Sequence, residues 1–288
     1  MKNISIFKMP KKQKKEIINS FILEVLLFGL CLFLNIISNL KLSRLLEEHN
    51  ISLQPISLTE FIFWFLIATL FIIWLVYFTK SPKKKFFKTF LILAVFIGSL
   101  CFFNLWLDSL IALLLTCLLT FLWVKKKNPL FHNLFLIIVL VGVGSRLGLN
   151  LEPETIIVLL ALFSLYDYIA VYRTKHMVKI AGEMLKSKTV LGFIIPQKIS
   201  DFRTNLKETK IKGRFLVLGS GDIIFPLIMS SSLVSRGVLE AVIVGIFGLI
   251  GLSASFFLLV SQKKRKPIPA LPPIALFLII GYIITKII

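Results

Sequence analysis

The amino-acid sequence predicts an all-α, polytopic membrane protein with nine transmembrane helices. Of its 288 residues, 57% are hydrophobic, 27 are Phe and 17% are charged, whereas about a quarter of a soluble domain is charged. The apolar residues form runs near the length of roughly 20 residues that crosses a bilayer as a helix. The first run contains Glu24 and no small-residue cleavage site follows it, so we expect no signal peptide.

Nine apolar runs are separated by polar or charged residues, and each predicts one membrane span. The fourth run is short and follows the third through residues 107–109 alone. The nine runs lie at 17–39, 59–79, 86–107, 108–124, 129–148, 153–173, 214–235, 237–260 and 268–287.

The basic residues predict the orientation of the chain. If the N-terminus is inside and the spans alternate, 29 of the 34 Lys and Arg residues fall on the inner side. Such a bias follows the positive-inside rule and predicts an inner N-terminus and an outer C-terminus. The net charge of +20 therefore indicates orientation and contact with membrane lipid, and we expect no nucleic-acid partner.

The long connection at 174–213 divides the chain into three parts. Residues 1–173 form an N-terminal six-helix part, 174–213 a cytoplasmic loop, and 214–288 a C-terminal three-helix part. Within the loop, 176–186 has the spacing of an interfacial amphipathic helix. The apolar stretch 189–196 is too short to span and is either an extended segment or a re-entrant plug.

Two aspartates lie inside predicted spans. A carboxylate at the centre of a bilayer costs about 2.5–3.5 kcal/mol on insertion scales, so such residues usually have a function or a partner. Asp167 lies six residues before Arg173, and Asp222 eight residues after Arg214. If both segments are helical, the two carboxyl groups lie about 10 Å below the same surface. The alternative is a purely structural role, in which each aspartate forms a hydrogen bond with a neighbouring helix.

A pair of adjacent carboxyl groups supplies the chemistry of peptide hydrolysis. Two such groups cannot both ionise, so one holds the shared proton and the other acts as a base toward water. Gly219 and Gly221 would let an extended substrate approach Asp222. Pro226 would loosen the helix beside Asp222, because its ring clashes with the carbonyl four residues before it.

The ninth run begins with four prolines in seven residues, at 267–273. We expect no regular helix there, because proline lacks an amide donor. Irregular backbone at membrane depth lines a cavity or is buried in protein. Its free backbone groups would offer strand-like hydrogen bonds to an unwound substrate. We expect spans six, seven and nine to enclose a polar cavity that opens to the inner face.

Three motifs resemble those of the presenilin and signal-peptide-peptidase family of intramembrane aspartyl proteases. They are Tyr-Asp at 166–167 in the sixth span, Gly-Ser-Gly-Asp at 219–222 in the seventh, and Pro-Ala-Leu at 269–271 at the start of the ninth. Motif-level identity is confined to about residues 160–275. The predicted orientation is that of presenilin, since signal peptide peptidases are inverted. Ser220 stands where the well-known animal members have Leu, which leaves the substrate preference open.

The resemblance implies the roles of the site residues. It implies a catalytic pair, Asp167 and Asp222, with no metal or other cofactor. Residues implied to bind or position the substrate are Tyr166, Gly219, Gly221, Pro269, Ala270 and Leu271. The Tyr166 hydroxyl is either a partner of the aspartates or part of the interior packing.

The resemblance also implies partners and a location. The substrates would be single-span transmembrane proteins or remnant signal peptides. The compact length and short loops are similar to microbial, especially archaeal, homologues, which implies a multi-pass protein of a prokaryotic plasma membrane.

Other functions fit the sequence less well. A proton-coupled transporter also uses intramembrane carboxylates, but the sequence shows no internal repeat. A prepilin-type peptidase shares Gly-x-Gly-Asp, but the proline motif and the depth of Asp167 favour presenilin. The sequence has no His-Glu-x-x-His zinc motif. Ser145 lies near the opposite surface from His132 and His176, so no serine–histidine pair is expected.

Overall fold

The computed structural model describes residues 11–52, 56–78, 83–126, 128–175, 177, 190–196, 201–202, 215–262 and 267–288. Within these ranges the chain forms nine α-helices, one π-helical turn and one two-stranded sheet. The helices are α1 Lys11–Glu48, α2 Leu58–Phe78, α3 Lys83–Trp106, α4 Ser109–Lys125, α5 Pro129–Asn150, α6 Pro153–Tyr168, α7 Ser220–Leu233, α8 Val238–Ser261 and α9 Leu271–Thr285. The π-helical turn Ile169–Arg173 continues α6, and the strands are β1 Gly192–Pro196 and β2 Phe215–Gly219. The predicted helical class and the order of nine helices are confirmed.

Five helices of the described chain are long and apolar enough to cross a membrane. They are Glu16–Glu48, Lys88–Trp106, Pro129–Asn150, Pro153–Arg173 and Val238–Ser261. The other four runs contain shorter apolar helical stretches, at Leu58–Ile67, Ser109–Lys125, Ser220–Leu233 and Leu271–Thr285.

The seventh predicted span, 214–235, is wrong at its start. Phe215–Gly219 is a strand, and the helix begins only at Ser220. The strand pairs antiparallel with β1, with Gly192 opposite Gly219 and Pro196 opposite Phe215. A strand advances about 3.3 Å per residue rather than 1.5 Å, so the depth estimated for Asp222 on a helical assumption does not hold.

The same pairing decides between the alternatives for 189–196, because Gly192–Pro196 is an extended segment. The amphipathic helix expected at 176–186 lies outside the described residues, apart from Met177.

The ninth helix begins at Leu271, three residues after the start of the ninth apolar run and inside the segment 267–273 that was expected to form no regular helix. Residues 267–269 have no regular structure, as the prolines predict. Pro272 and Pro273, in contrast, lie in the first turn of α9. Amide groups in a first turn have no partner within the helix, so proline is tolerated there.

Glycines allow helices to approach one another closely. A Cβ atom on Gly251 would lie 2.7 Å from the Cα atom of Ile274 in α9, and one on Gly248 would lie 3.3 Å from Pro226 in α7. These two glycines therefore let α8 pack closely against both α7 and α9.

Polar groups inside the bundle tie α1 to α7. The amide of Asn35 donates to the Leu227 carbonyl at 3.1 Å and to the Ser231 hydroxyl oxygen at 2.7 Å. Asn39 donates to the same Ser231 oxygen at 2.7 Å. These contacts hold the helix that carries Asp222 against the first helix of the chain.

Candidate active site

Asp167 lies in the last turn of α6 and contacts the start of α9. The backbone amide of Leu271 donates to Oδ2 of Asp167 at 3.3 Å, and the Ala270 backbone lies beside the same carboxyl group. Leu271 is the first residue of α9, so its amide has no acceptor within the helix. The Tyr-Asp and Pro-Ala-Leu motifs, 104 residues apart, are therefore joined by one hydrogen bond.

Asp222 lies in the first turn of α7, directly after β2. Its carboxyl group lies against the backbone of Gly219, the N-cap residue of the helix. A carboxylate at the third helical position commonly reaches back to the N-cap amide in this way. Pro226, four residues further on, lies inside α7 and lacks the amide that the Asp222 carbonyl would accept from.

The two aspartate carboxyl groups interact electrostatically. Asp167 is presented by the C-terminal end of one helix and Asp222 by the N-terminal end of another. Both side chains are partly buried. The carboxyl groups that the sequence predicts as a pair therefore lie within range of an electrostatic interaction.

A cavity of about 170 Å³ opens beside Asp222. Its walls come from α1, both strands, α8 and the irregular segment before α9, and they include Glu24 and Ala270. The sequence predicted a polar cavity enclosed by spans six, seven and nine. Among the described residues that line this cavity, none belongs to α6, whereas α1, α8 and the sheet contribute, and most of the wall is apolar.

Ala270 is held from α8. The Ser255 hydroxyl donates to the Ala270 carbonyl at 2.9 Å and lies 3.1 Å from the Gly251 carbonyl. The Ala270 backbone therefore lies between Ser255 on one side and the Asp167 carboxyl group on the other. Ser255 was not among the predicted site residues.

The sheet is anchored to α5 by two adjacent polar residues. The Asn133 amide donates to the Ile194 carbonyl at 2.9 Å, and the Ile194 amide donates to Asn133 Oδ1 at 2.9 Å. Trp123 Nε1 donates to His132 Nδ1 at 3.1 Å. The other ring nitrogen, Nε2, then carries the hydrogen and donates to the Gly192 carbonyl at 3.0 Å.

The remaining predicted residues lie around the aspartates in different ways. A Cβ atom on Gly219 would lie 3.1 Å from Oδ2 of Asp222, whereas one on Gly221 would meet no atom within 4 Å. Pro269 is buried. Tyr166 is 49% exposed, so interior packing, one of its two alternatives, is wrong.

The chain matches a known protein family. A family model described as signal-peptide peptidase, presenilin aspartyl protease, matches residues 25–288. A search of curated proteins gives no match.

Solved structures show the same fold. A presenilin family intramembrane aspartate protease in the C222 space group has a TM-score of 0.60 and 22% identity, with 90% of this chain and 94% of that chain covered. Another structure so described, in the P2 space group, has a TM-score of 0.59 and 22% identity, with 90% and 96% covered. This chain is a multi-pass membrane protein and an aspartic endopeptidase, and it belongs to the signal-peptide peptidase and presenilin aspartyl protease family.

Proposed function

We propose that Asp167 and Asp222 are the catalytic pair of an endopeptidase that cleaves peptide bonds within transmembrane segments. The observation that carries the proposal is the convergence of the three motifs. The Leu271 amide binds Asp167 at 3.3 Å, and Asp167 interacts electrostatically with Asp222. Asp222 in turn lines a cavity.

In the proposed reaction, the pair begins with one proton. The ionised aspartate takes a proton from water as the water oxygen adds to the scissile carbonyl carbon, and the protonated aspartate gives its proton to the carbonyl oxygen. The gem-diol then collapses and the C–N bond breaks. The nitrogen takes the proton of one aspartate while a gem-diol hydroxyl returns a proton to the other, so the pair regains its single-proton state.

The substrate would be a single-span protein or a remnant signal peptide, unwound near the aspartates. Two features support this part of the proposal. Within the described residues β2 pairs with β1 alone, which leaves its second edge able to bind an extended chain. The irregular backbone at 267–270 and residues of β2 line the same cavity. We propose that Tyr166, Gly219 and Gly221 also contact this substrate.

We further propose that the chain crosses the plasma membrane of an archaeal-type prokaryotic cell nine times. The N-terminus and the 174–213 loop would lie inside the cell. The loop would connect a six-helix part at 1–173 to a three-helix part at 214–288. Single cysteines introduced into the termini and the loop, and labelled with an impermeant reagent in intact cells, test this topology. Labelling of the 174–213 loop from outside would overturn it.

The function is tested with purified protein and a single-span substrate whose products are mapped by mass spectrometry. Asp167→Asn and Asp222→Asn should each abolish cleavage and the binding of a hydroxyl-containing transition-state mimic. Asp108→Asn, in the residue that precedes α4, is the matched control and should retain both. Cleavage by either aspartate variant would refute the assignment. Proton-driven solute uptake with the substrate uncut would establish the transporter instead.

A further inference from the structure

Glu24 is a further carboxyl group, and it lies beside Asp222. It lies on α1, is only 6% exposed and lines the same cavity as Asp222. It interacts electrostatically with Asp222. Among the described residues the Glu24 side chain has no hydrogen bond and no ion pair, and no Lys or Arg in the described ranges interacts with it. A buried carboxyl group without a partner is costly, so a ligand that supplies one would be strongly favoured.

The cavity has the size and lining of a pocket for one side chain. Its volume of about 170 Å³ equals roughly five or six waters at 30 Å³ each, which is the room that one long side chain needs. Apart from the carboxyl groups, most of the wall is apolar, from residues such as Leu216, Phe256, Leu259 and Ile268. An apolar wall with an acidic end complements a side chain with a long methylene stem and a basic tip.

We propose that Glu24 is the acidic end of a substrate side-chain pocket that accepts Lys or Arg close to the cleaved peptide bond. The inference rests on the proposed function, because Asp222 marks where that bond would lie. A basic side chain there would place its stem against the apolar wall and its charge beside Glu24.

The composition of membrane-spanning substrates fits this pocket. Spans are flanked by Lys and Arg on the inner side, and the proposed topology places Asp222 toward that side. A substrate drawn to the aspartates from its inner end would therefore carry basic residues into the pocket. By binding the first Lys or Arg that follows the apolar span, Glu24 would then determine where the substrate is cleaved.

The test compares substrates that differ at one residue. In a single-span substrate, each of the four residues flanking the mapped cut is changed in turn to Lys, Met or Glu, since Met has nearly the length of Lys without its charge. With the wild-type protein, kcat/KM at one of these positions should be higher for Lys than for Met by about tenfold to a hundredfold, the contribution of a hydrogen bond to a charged group. Glu at that position should be cleaved least.

Two variants assign that preference to Glu24. Glu24→Gln keeps the size of the side chain but removes its charge, and it should bring the Lys-to-Met ratio close to one while the Met substrate is still cleaved. Glu16→Gln, two turns earlier on α1 and away from the cavity lining, should keep the wild-type ratio. A ratio that Glu24→Gln leaves unchanged would overturn the assignment.

Measurements of the substrate variants with the wild-type protein alone can also refute the proposed pocket for a basic side chain. Equal cleavage of the Lys and Met substrates at all four positions would overturn it even if the Glu24 variant failed to fold. In that case the proposed function would stand as long as the cleavage disappears in both aspartate variants. Absence of any cleavage by the wild-type protein would instead refute the proposed function.

Discussion

Asn133 is hydrogen-bonded to both backbone groups of Ile194, at 2.9 Å in each direction. A side chain of α5 thus takes the place of a third strand beside β1. Because β1 pairs with β2 along its other edge, and β2 leads directly into the turn that carries Asp222, the position of that aspartate depends on a residue in the fifth helix.

Removing this anchor should therefore affect both stability and activity. Asn133→Ala would leave the Ile194 amide and carbonyl buried without partners, at about 1–3 kcal/mol each. We expect a lower Tm in detergent and a fall in kcat of at least about tenfold. Asn150→Ala is the matched control, because the Asn150 side chain binds only the Arg146 carbonyl of its own helix. Equal effects of the two substitutions on kcat would contradict the anchoring role.

Ser255 should position the segment before α9. Ser255→Ala removes the hydrogen bond to the Ala270 carbonyl, which is 2.9 Å long, and a typical bond of this kind contributes about 1 kcal/mol. We expect kcat to fall about tenfold, since the Ala270 backbone also lies beside Asp167. Ser253→Ala, on the same helix, removes only a local bond to the Leu249 carbonyl. Comparison of kcat and KM for both variants checks the prediction, which fails if Ser253→Ala is equally slow.

The two glycines of the Gly-Ser-Gly-Asp motif should differ in their response to alanine. At Gly219 a Cβ atom would lie 3.1 Å from Oδ2 of Asp222, so Gly219→Ala should displace the carboxyl group and lower kcat by about tenfold or more. At Gly221 the Cβ atom meets no atom within 4 Å. Gly221→Ala should therefore leave the free energy of unfolding unchanged or raise it, by up to about 1 kcal/mol from helix propensity, so the Tm should not fall. Its main kinetic effect should be on the KM for the substrate. A larger loss of kcat in Gly221→Ala than in Gly219→Ala would contradict this.

Pro269 should keep the segment before α9 irregular. Pro269→Ala restores an amide and relaxes the restriction on the preceding residue, so α9 should extend toward 267 and narrow the cavity. Peptide cleavage should then fall sharply although both aspartates remain. Proteolysis of the single-span substrate, measured together with the Tm, tests the prediction. Full activity in a folded variant would show that the irregular backbone is not required.

The helices of this chain were predictable because each apolar run is long and its ends are marked by charge or proline. The sheet was not, because Phe215–Gly219 is apolar throughout and joins an apolar helix without a break. Apolarity alone does not distinguish a strand from the first turn of a buried helix. The paired residues of Gly192–Pro196 lie between 19 (Pro196 with Phe215) and 27 (Gly192 with Gly219) positions earlier in the chain, so the evidence for the strand is non-local.

The residues of the candidate site also fall into two groups, those marked by a local motif and those placed by non-local contacts. Asp167, Asp222 and the Pro-Ala-Leu segment were predictable because local motifs mark them. The places of Glu24 and Asn133 were not, because each depends on which face of a long helix turns toward the sheet. The His132 and Asn133 pair at the start of an apolar run was the available signal, since two adjacent polar side chains there require acceptors or donors outside their own helix.

The π-helical turn after Asp167 makes the chain tolerant of a change in length at that point. The Thr174 amide donates to the Ile169 carbonyl, five residues earlier, at 3.0 Å, so the turn contains one residue more than an α-helical turn would. Deleting a single residue within Ile169–Arg173 would convert the turn to a regular one and leave everything N-terminal to it in place. A chain shortened by one residue within Ile169–Arg173 should therefore keep Asp167 facing Leu271.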